Sequence, residues 1–259
     1  KIPFDIEHYQ RDDFIKADEV QNVREFGTED QLETLQSRVE KKAMKHARDL
    51  TMTLEHQRVG AIKGVVTSKS GKVLHNLFSR FEIAVPAAVS LELDVESTVV
   101  TKLFQDVTYS IEDDLDEPYD GLHVFTGRGF HQSLWQHKSV RDTFLYHGGA
   151  AVLRQDVPDV FTFGGATWER YRTGAKATAD LGSPYIAENE ARVVPKGVPE
   201  LFITRFAPAD YEETVNPEGL PFYAKQYSSQ NGKGRHLEVQ MNAISICTRP
   251  KALRRLTLT

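Results

Sequence analysis

Only one cysteine, Cys247, occurs among the 259 residues. No internal disulfide can form, which fits a reducing compartment and excludes a small disulfide-framed secreted fold. No run of 18 or more apolar residues exists either, so no membrane-spanning helix is expected. The chain opens Lys1-Ile2-Pro3-Phe4, without a basic-then-apolar leader, so no signal peptide is expected. Its first residue is not Met, which points to a processed or partial form. Cationic excess is missing as well. Thirty-two Lys and Arg against 37 Asp and Glu leave a net charge of −5. That argues against gripping nucleic acid through the overall field, while leaving room for a local basic patch.

Catalytic signatures are also absent. There is no G-x-S-x-G elbow and no G-x-x-x-x-G-K-[ST] phosphate loop. Gly127-Arg128-Gly129 stops short of a dinucleotide fingerprint because Gln132 stands where the third glycine belongs, so it reads as a turn between strand and helix. His131 and His137 point to different faces of one helix and lack any H-E-x-x-H or Cys partner. They read as ordinary surface or packing histidines. No catalytic residue, cofactor or metal site is expected.

What the chain does have is one long amphipathic pattern. Leu32, Leu35, Val39, Ala43, Ala47, Leu50 and Leu54 recur at spacings of three and four, with Glu33, Arg38, Glu40, Lys41, Lys45, Arg48 and Asp49 on the other face. Thr28 with Gln31 forms a capping-box start, and Gly60 and Gly64 mark the stop, which predicts a helix over 28–59. Roughly 30 residues make a rod of ~45 Å, against a radius of gyration of ~18 Å for a compact chain of this length. Such a rod suits an elongated building block better than a spherical enzyme.

Residues 1–9 alternate Ile2, Phe4 and Ile6 with polar neighbours and read as an extended arm, with Pro3 demoting it to an edge or free strand. A short helix is expected over 17–26. Strands at 65–67 and 72–77 flank a turn, and a second amphipathic helix over 98–115 carries Val100, Leu103, Phe104, Val107, Ile111 and Leu115. A strand at 123–126, a helix at 129–138 and a strand at 160–163 ending in Gly164-Gly165 follow, then a loop-rich region over 182–221. Strands at 223–228 and 235–241 flank Asn231-Gly232-Lys233-Gly234, a hairpin signal. Alternation then slips near Ala243, through a bulge or a change of buried face.

Two charge runs stand out. Glu112, Asp113, Asp114, Asp116 and Glu117 sit at a helix C-terminus, where the macrodipole disfavours anions by ~0.3–1 kcal/mol each. An EF-hand loop fails there because Pro118 and Tyr119 occupy ligand and glycine positions, which leaves a solvated acidic face ahead of a metal site or a surface for a basic partner. Arg249, Lys251, Arg254 and Arg255 form a basic tail, read either as a charged edge that blocks strand pairing or as a contact to an acidic neighbour.

Ile2-Pro3-Phe4, the run 13–27, the helix end 55–64, Gly127-Arg128-Gly129-Phe130 with His137, the segments 161–165, 206–210 and 221–226, and 238–242 running to Thr248-Arg249-Pro250 occur in an order that resembles the lambda-type phage major capsid proteins, the major head protein E family. The resemblance spans essentially the whole chain. It implies an α+β chain with the Hong Kong ninety-seven-type capsid fold: an arm remnant at 1–16, a peripheral domain of 17–90 with 221–259 whose spine helix is 28–59, and an axial domain at 91–220. The outgoing half of the extended loop would lie upstream of Lys1. The implied function is a shell subunit forming pentamers and hexamers around a double-stranded DNA genome, assembled in the host cytoplasm and resident in the virion. Implied partners are neighbouring copies, then scaffold, portal and decoration proteins, and DNA without sequence-specific binding. Subunit-interface positions are expected at Ile2, Phe4, Ile6 and Tyr9 of the arm and in the two charge runs, at Glu112, Asp113, Asp114, Asp116, Glu117, Arg249, Arg254 and Arg255. An encapsulin-like cargo compartment is the runner-up, followed by a monomeric enzyme of unknown type.

Overall fold

The computed structural model describes residues 2–20, 34–146, 158–175, 178–179 and 182–259. The strands in chain order are β1 (Glu7–Lys16), β2 (Val65–Thr67), β3 (Val73–Asn76), β4 (Val89–Ser90), β5 (Gly121–Thr126), β6 (Val160–Phe163), β7 (Ala166–Arg170), β8 (Glu190–Lys196), β9 (Phe202–Phe206), β10 (Tyr223–Ser228), β11 (Gly234–Cys247) and β12 (Arg254–Thr257). The helices are α1 (Leu35–Lys63), α2 (Leu77–Arg80), α3 (Val100–Asp114), α4 (Arg128–Gln136) and α5 (Lys138–Tyr146). Two compact units divide the chain, one of Lys1–His56 with Thr204–Ser245, the other of Gln57–Ile203 with Ile246–Thr259.

The first unit is built on β11. Its Leu237, Val239, Met241 and Ala243 leave one face of the strand because successive side chains alternate. They bury against Val39, Leu50 and Leu54 of α1, with Ile15 of β1 completing the cluster. Covering a leucine fully is worth about 1.5–3 kcal/mol. β1 runs antiparallel along one side of β11, Glu7 opposite Ala243 and Lys16 opposite Gly234. β10 pairs antiparallel along the other side, and β9 also pairs with β11. The opposite face of β11 is polar but covered. Asn242 Nδ2 donates to the Pro208 carbonyl at 2.6 Å, and Gln240 Nε2 donates to Asp210 at 3.2 Å. Both faces are therefore buried from Val239 to Ser245 while the register with β1 stays continuous up to Ala243. A change of burial accompanies the slip in alternation.

The long helix differs from expectation at its C-terminal end. Residues 28–33, with the expected capping box, lie outside the described residues, and α1 runs on through Gly60 to Lys63. Gly60 is not a stop. A Cβ there would come within 2.9 Å of Val66 Cα, so the glycine lets the β2 backbone approach, at a propensity cost of about 1 kcal/mol. Gly64 is the terminator, with φ +77°, and its missing Cβ would stand 2.3 Å from the Phe78 ring. Gly64→Ala is expected to lower stability by about 1–3 kcal/mol, read from urea unfolding. Of the short helix expected over 17–26, Ala17–Val20 form a 3-10 turn and the rest lies outside the described residues.

In the second unit β2 and β3 form a two-stranded hairpin of their own, and the chain re-enters helix in α2, capped by Asn76 Oδ1 accepting from Ser79 N at 3.2 Å. β12 enters a different sheet from both this hairpin and β10 with β11. That sheet has the order β4-β12-β8-β5-β7-β6, mixed in direction. β5 is parallel to β7 and antiparallel to β8. Gly164 and Gly165, with φ +62° and +80°, supply the left-handed pair that a tight β6–β7 hairpin requires. α3, α4 and α5 cover one face of the sheet. Phe104, Val107, Ile111, Phe130, Leu134 and Val140 bury there with Val124, Phe161, Trp168, Val193 and Leu256.

Candidate functional site

None of residues 2–9 of the arm is buried, whereas Ile15 of the remnant is. Ile2 and Ile6 are 43% and 40% exposed, Phe4 and Tyr9 are half-buried, and Tyr9 packs against the α1–β11 cluster. Among the described residues β1 forms an edge of its sheet, so the exposed apolar side chains lead directly into a strand with one side unpaired there.

The two charge runs meet each other within the chain. Arg254 is 6% exposed on β12 and reaches α3: Nη2 donates to Asp114 Oδ2 at 2.5 Å and to the Ser110 carbonyl at 2.6 Å, and Nε donates to Ser110 Oγ at 3.0 Å. Lys251 Nζ lies 3.0 Å from the other oxygen of Asp114. Burial alone would raise the Asp114 pKa, but hydrogen bonds from Lys251 and Arg254 outweigh it and hold the carboxyl below its ordinary value. Arg249 Nη2 donates to Glu117 Oε1 at 2.5 Å. Glu112 accepts from the Tyr119 hydroxyl at 2.7 Å, and burial with that bond pushes the phenol up to about 12. The acidic neighbour of the basic tail is therefore the chain's own α3 end. Asp113 and Asp116 remain exposed. Arg255 turns the other way, its Nε 2.8 Å from Glu190 Oε2.

That last contact belongs to a cluster that no motif announced. Arg192 and Arg255 are directly opposite on antiparallel β8 and β12, and Glu190 sits beside them with Oε2 3.3 Å from Arg192 Nη2. Burial would raise the Glu190 pKa, yet Arg192 and Arg255 hold it down. Lys63, at the end of α1, feels the same cluster: burial first, then Arg192, lower its pKa. Alternation in Glu190-Ala191-Arg192-Val193 was the available signal, but no pattern marks which strand lies alongside.

His131 and His137 are packing groups. His131 is buried, its Nδ1 2.9 Å from Thr126 Oγ1 and its Nε2 2.8 Å from the Pro158 carbonyl; burial lowers its pKa. His137 Nε2 lies 3.1 Å from the Val95 carbonyl. Burial pushes the Cys247 thiol up to about 12, which leaves almost no thiolate near neutral pH. Ellman's reagent is expected to find no reactive thiol in the native chain and one per chain in guanidinium chloride. Among the described residues no three His, Cys, Asp or Glu side chains converge as metal ligands, and no helix is long and apolar enough to cross a membrane.

A spine-like helix on a long-stranded sheet, a separate helix-backed mixed sheet and an exposed arm are the parts of a shell subunit. The family model for phage major capsid protein E matches residues 1–258. The chain belongs to that family. The family is a structural one, so the chain is a phage major capsid protein of the virion shell and not an enzyme. It is similar to the major capsid protein of Salmonella phage Felix O1, 22% identical over 98% of this chain and 77% of that protein. It is also similar to that of Pseudomonas phage KPP10, 25% identical over 96% and 75%. The fold is of the Hong Kong ninety-seven type, and the capsid structure of cyanophage P-SCSP1u superposes with a TM-score of 0.53 at 12% identity, covering 97% of this chain and 72% of that one. The capsid assignment agrees with the resemblance drawn from the sequence.

Proposed function

We propose that copies of this capsid protein close into five- and six-membered rings through heterologous contacts, and that the rings tile an icosahedral shell around a double-stranded DNA genome. Each contact need only be weak, because many simultaneous ones stabilise the assembly. The observation that carries the reading is the arm: Ile2 and Ile6 are exposed beside the edge strand β1, a hydrophobic segment left for a neighbouring copy to cover. Phe4 and Tyr9 belong to the same proposed overlap. We assign the peripheral role to 17–90 with 221–259 and the axial role to 91–220, and transfer β12 to the axial side because it hydrogen-bonds β8. Scaffold, portal and decoration proteins are the further partners of this reading, and the packaged DNA is held without sequence-specific contacts. The net charge of −5 supports that last point, since a strongly basic lining would bind the genome by counterion release and oppose its exit.

Electron microscopy of the full gene product tests the reading. Wild-type protein should give closed shells, and Ile2→Asp with Ile6→Asp should give folded subunits without shells. Intact shells from that variant would remove the arm from the assembly mechanism.

A further inference from the structure

The first strand carries a histidine whose two ring nitrogens both meet oxygen. His8 and Asn242 are directly opposite on β1 and β11, and His8 Nδ1 lies 2.7 Å from Asn242 Oδ1. Two residues along β1, Gln10 places its Oε1 3.1 Å from His8 Nε2. Neither amide can be turned over to offer a donor instead. Asn242 is 7% exposed and gives its Nδ2 to the Pro208 carbonyl at 2.6 Å, a group that only accepts. Gln10 gives its Nε2 to the Asp12 carboxylate at 2.6 Å, and the buried Gln240 donates to Gln10 Oε1 at 3.3 Å. Partners that cannot donate therefore set both amide orientations.

A neutral imidazole has one N–H and one lone pair. Whichever tautomer His8 adopts, one ring nitrogen then points a lone pair at an oxygen lone pair, and that contact is lost. The imidazolium donates to both oxygens. Charges nearby favour the same form. Asp12 stands behind Gln10 at 2.6 Å, and Asp210 behind Gln240 at 3.2 Å. Further along this face Glu238 is opposite Asp12, and Lys225 is held by Glu213 at 2.8 Å. Arg205 belongs to β9, across β11 from β1, about 10 Å away at two strand spacings. His8 also occupies a particular place in the chain. The exposed segment of Ile2 and Ile6 becomes a paired strand here, Glu7 being the first residue opposite β11.

We propose that His8 is a proton-operated latch at the root of the arm. Doubly protonated, it ties the start of β1 to Asn242 of β11 and to Gln10 at once. As neutral imidazole it gives up one tie, and the start of the strand loosens. The latched state binds the proton more firmly than the released one. Its stability is therefore present in acid and is lost as pH rises through the imidazole range, about pH 5–8. The device lies within one subunit and does not depend on how copies meet.

Hydrogen exchange in dissociated subunits of the full gene product tests it, with rates corrected for the direct chemical effect of pH. From about pH 5.5 to pH 8, the amides of residues 7–10 should become about threefold to tenfold faster in wild type, and those of β10 should not change. His8→Gln should abolish the dependence. Asp12→Asn allows the Gln10 amide to turn and present Nε2 to a neutral His8, so it should cut the dependence below about twofold with the histidine still in place. A histidine that only packs would not respond to that change. Flat exchange over 7–10 in wild type, or an undiminished dependence in either variant, would overturn the latch. An equal acceleration of β10 would trace the effect to opening of the whole sheet and overturn it too.

Discussion

Trp168→Ala should cost the isolated subunit about 3–5 kcal/mol, enough to leave a marginally stable chain largely unfolded. The indole is fully buried on β7, between β5 and the edge strand β6 of the six-stranded sheet. Phe104 lies against it at 4.9 Å between ring centroids, and Phe130 and Phe161 are stacked near-parallel at 6.4 and 6.5 Å. No neighbour can fill a void of that size, because α3 and α4 on one side are themselves pinned by Val107, Ile111 and Leu134. Trp168→Phe keeps most of the volume but removes the Nε1–H bond to the Phe163 carbonyl at 2.9 Å, and should cost nearer 1 kcal/mol beyond the packing change. Urea denaturation of dissociated subunits measures both. A loss below about 1 kcal/mol for the alanine variant would contradict the position of this ring at the centre of the core.

Arg254→Ala should be of similar size, about 3–5 kcal/mol, for a different reason. The guanidinium is buried and satisfies Asp114, the Ser110 carbonyl and hydroxyl, and the Lys251 carbonyl at 2.6 Å. Removing it strands several polar groups at once. Arg254→Lys restores the charge but not the fork that reaches several acceptors, so it should recover only part of the loss. The same site sets a pH response. Asp114 has its pKa depressed in the folded chain, so the stability it contributes is fully present above its ordinary value of 3.8 and is lost as pH falls through the lower folded value. Denaturation curves collected from pH 7 downward should show this loss beginning below about pH 4, with a shallower decline in Asp114→Asn. An unchanged slope in that variant would remove Asp114 as its cause.

Periodicity announced the elements that have one buried face. The Val100, Phe104, Val107 and Ile111 stripe forecast α3 to within a residue or two, and the glycine pair at 164–165 forecast the end of β6. β8 escaped notice because it lies in a stretch dense in proline and glycine. Pro195 ordinarily disqualifies a central strand. Here β12 pairs with β8 only at residues 190–193, so Pro195 falls beyond its end and faces β5 alone, opposite Leu122. The ordered set of short segments carried the family. Individual site partners were invisible, since Arg254 and Asp114 are far apart in sequence and meet only because β12 joins the sheet that α3 covers. Gly60 misled for a related reason: a glycine that permits close packing looks identical in sequence to one that ends a helix.

The sealed position of Cys247 has a practical outcome for studying the particle. A maleimide dye or spin label added to native subunits has no endogenous target, so a cysteine engineered at an exposed site such as Val85 or Val215 becomes the sole point of attachment without any background substitution. Every copy in a shell would then carry one reporter at a chosen coordinate, and distances between neighbouring copies could be read out by energy transfer as the shell forms.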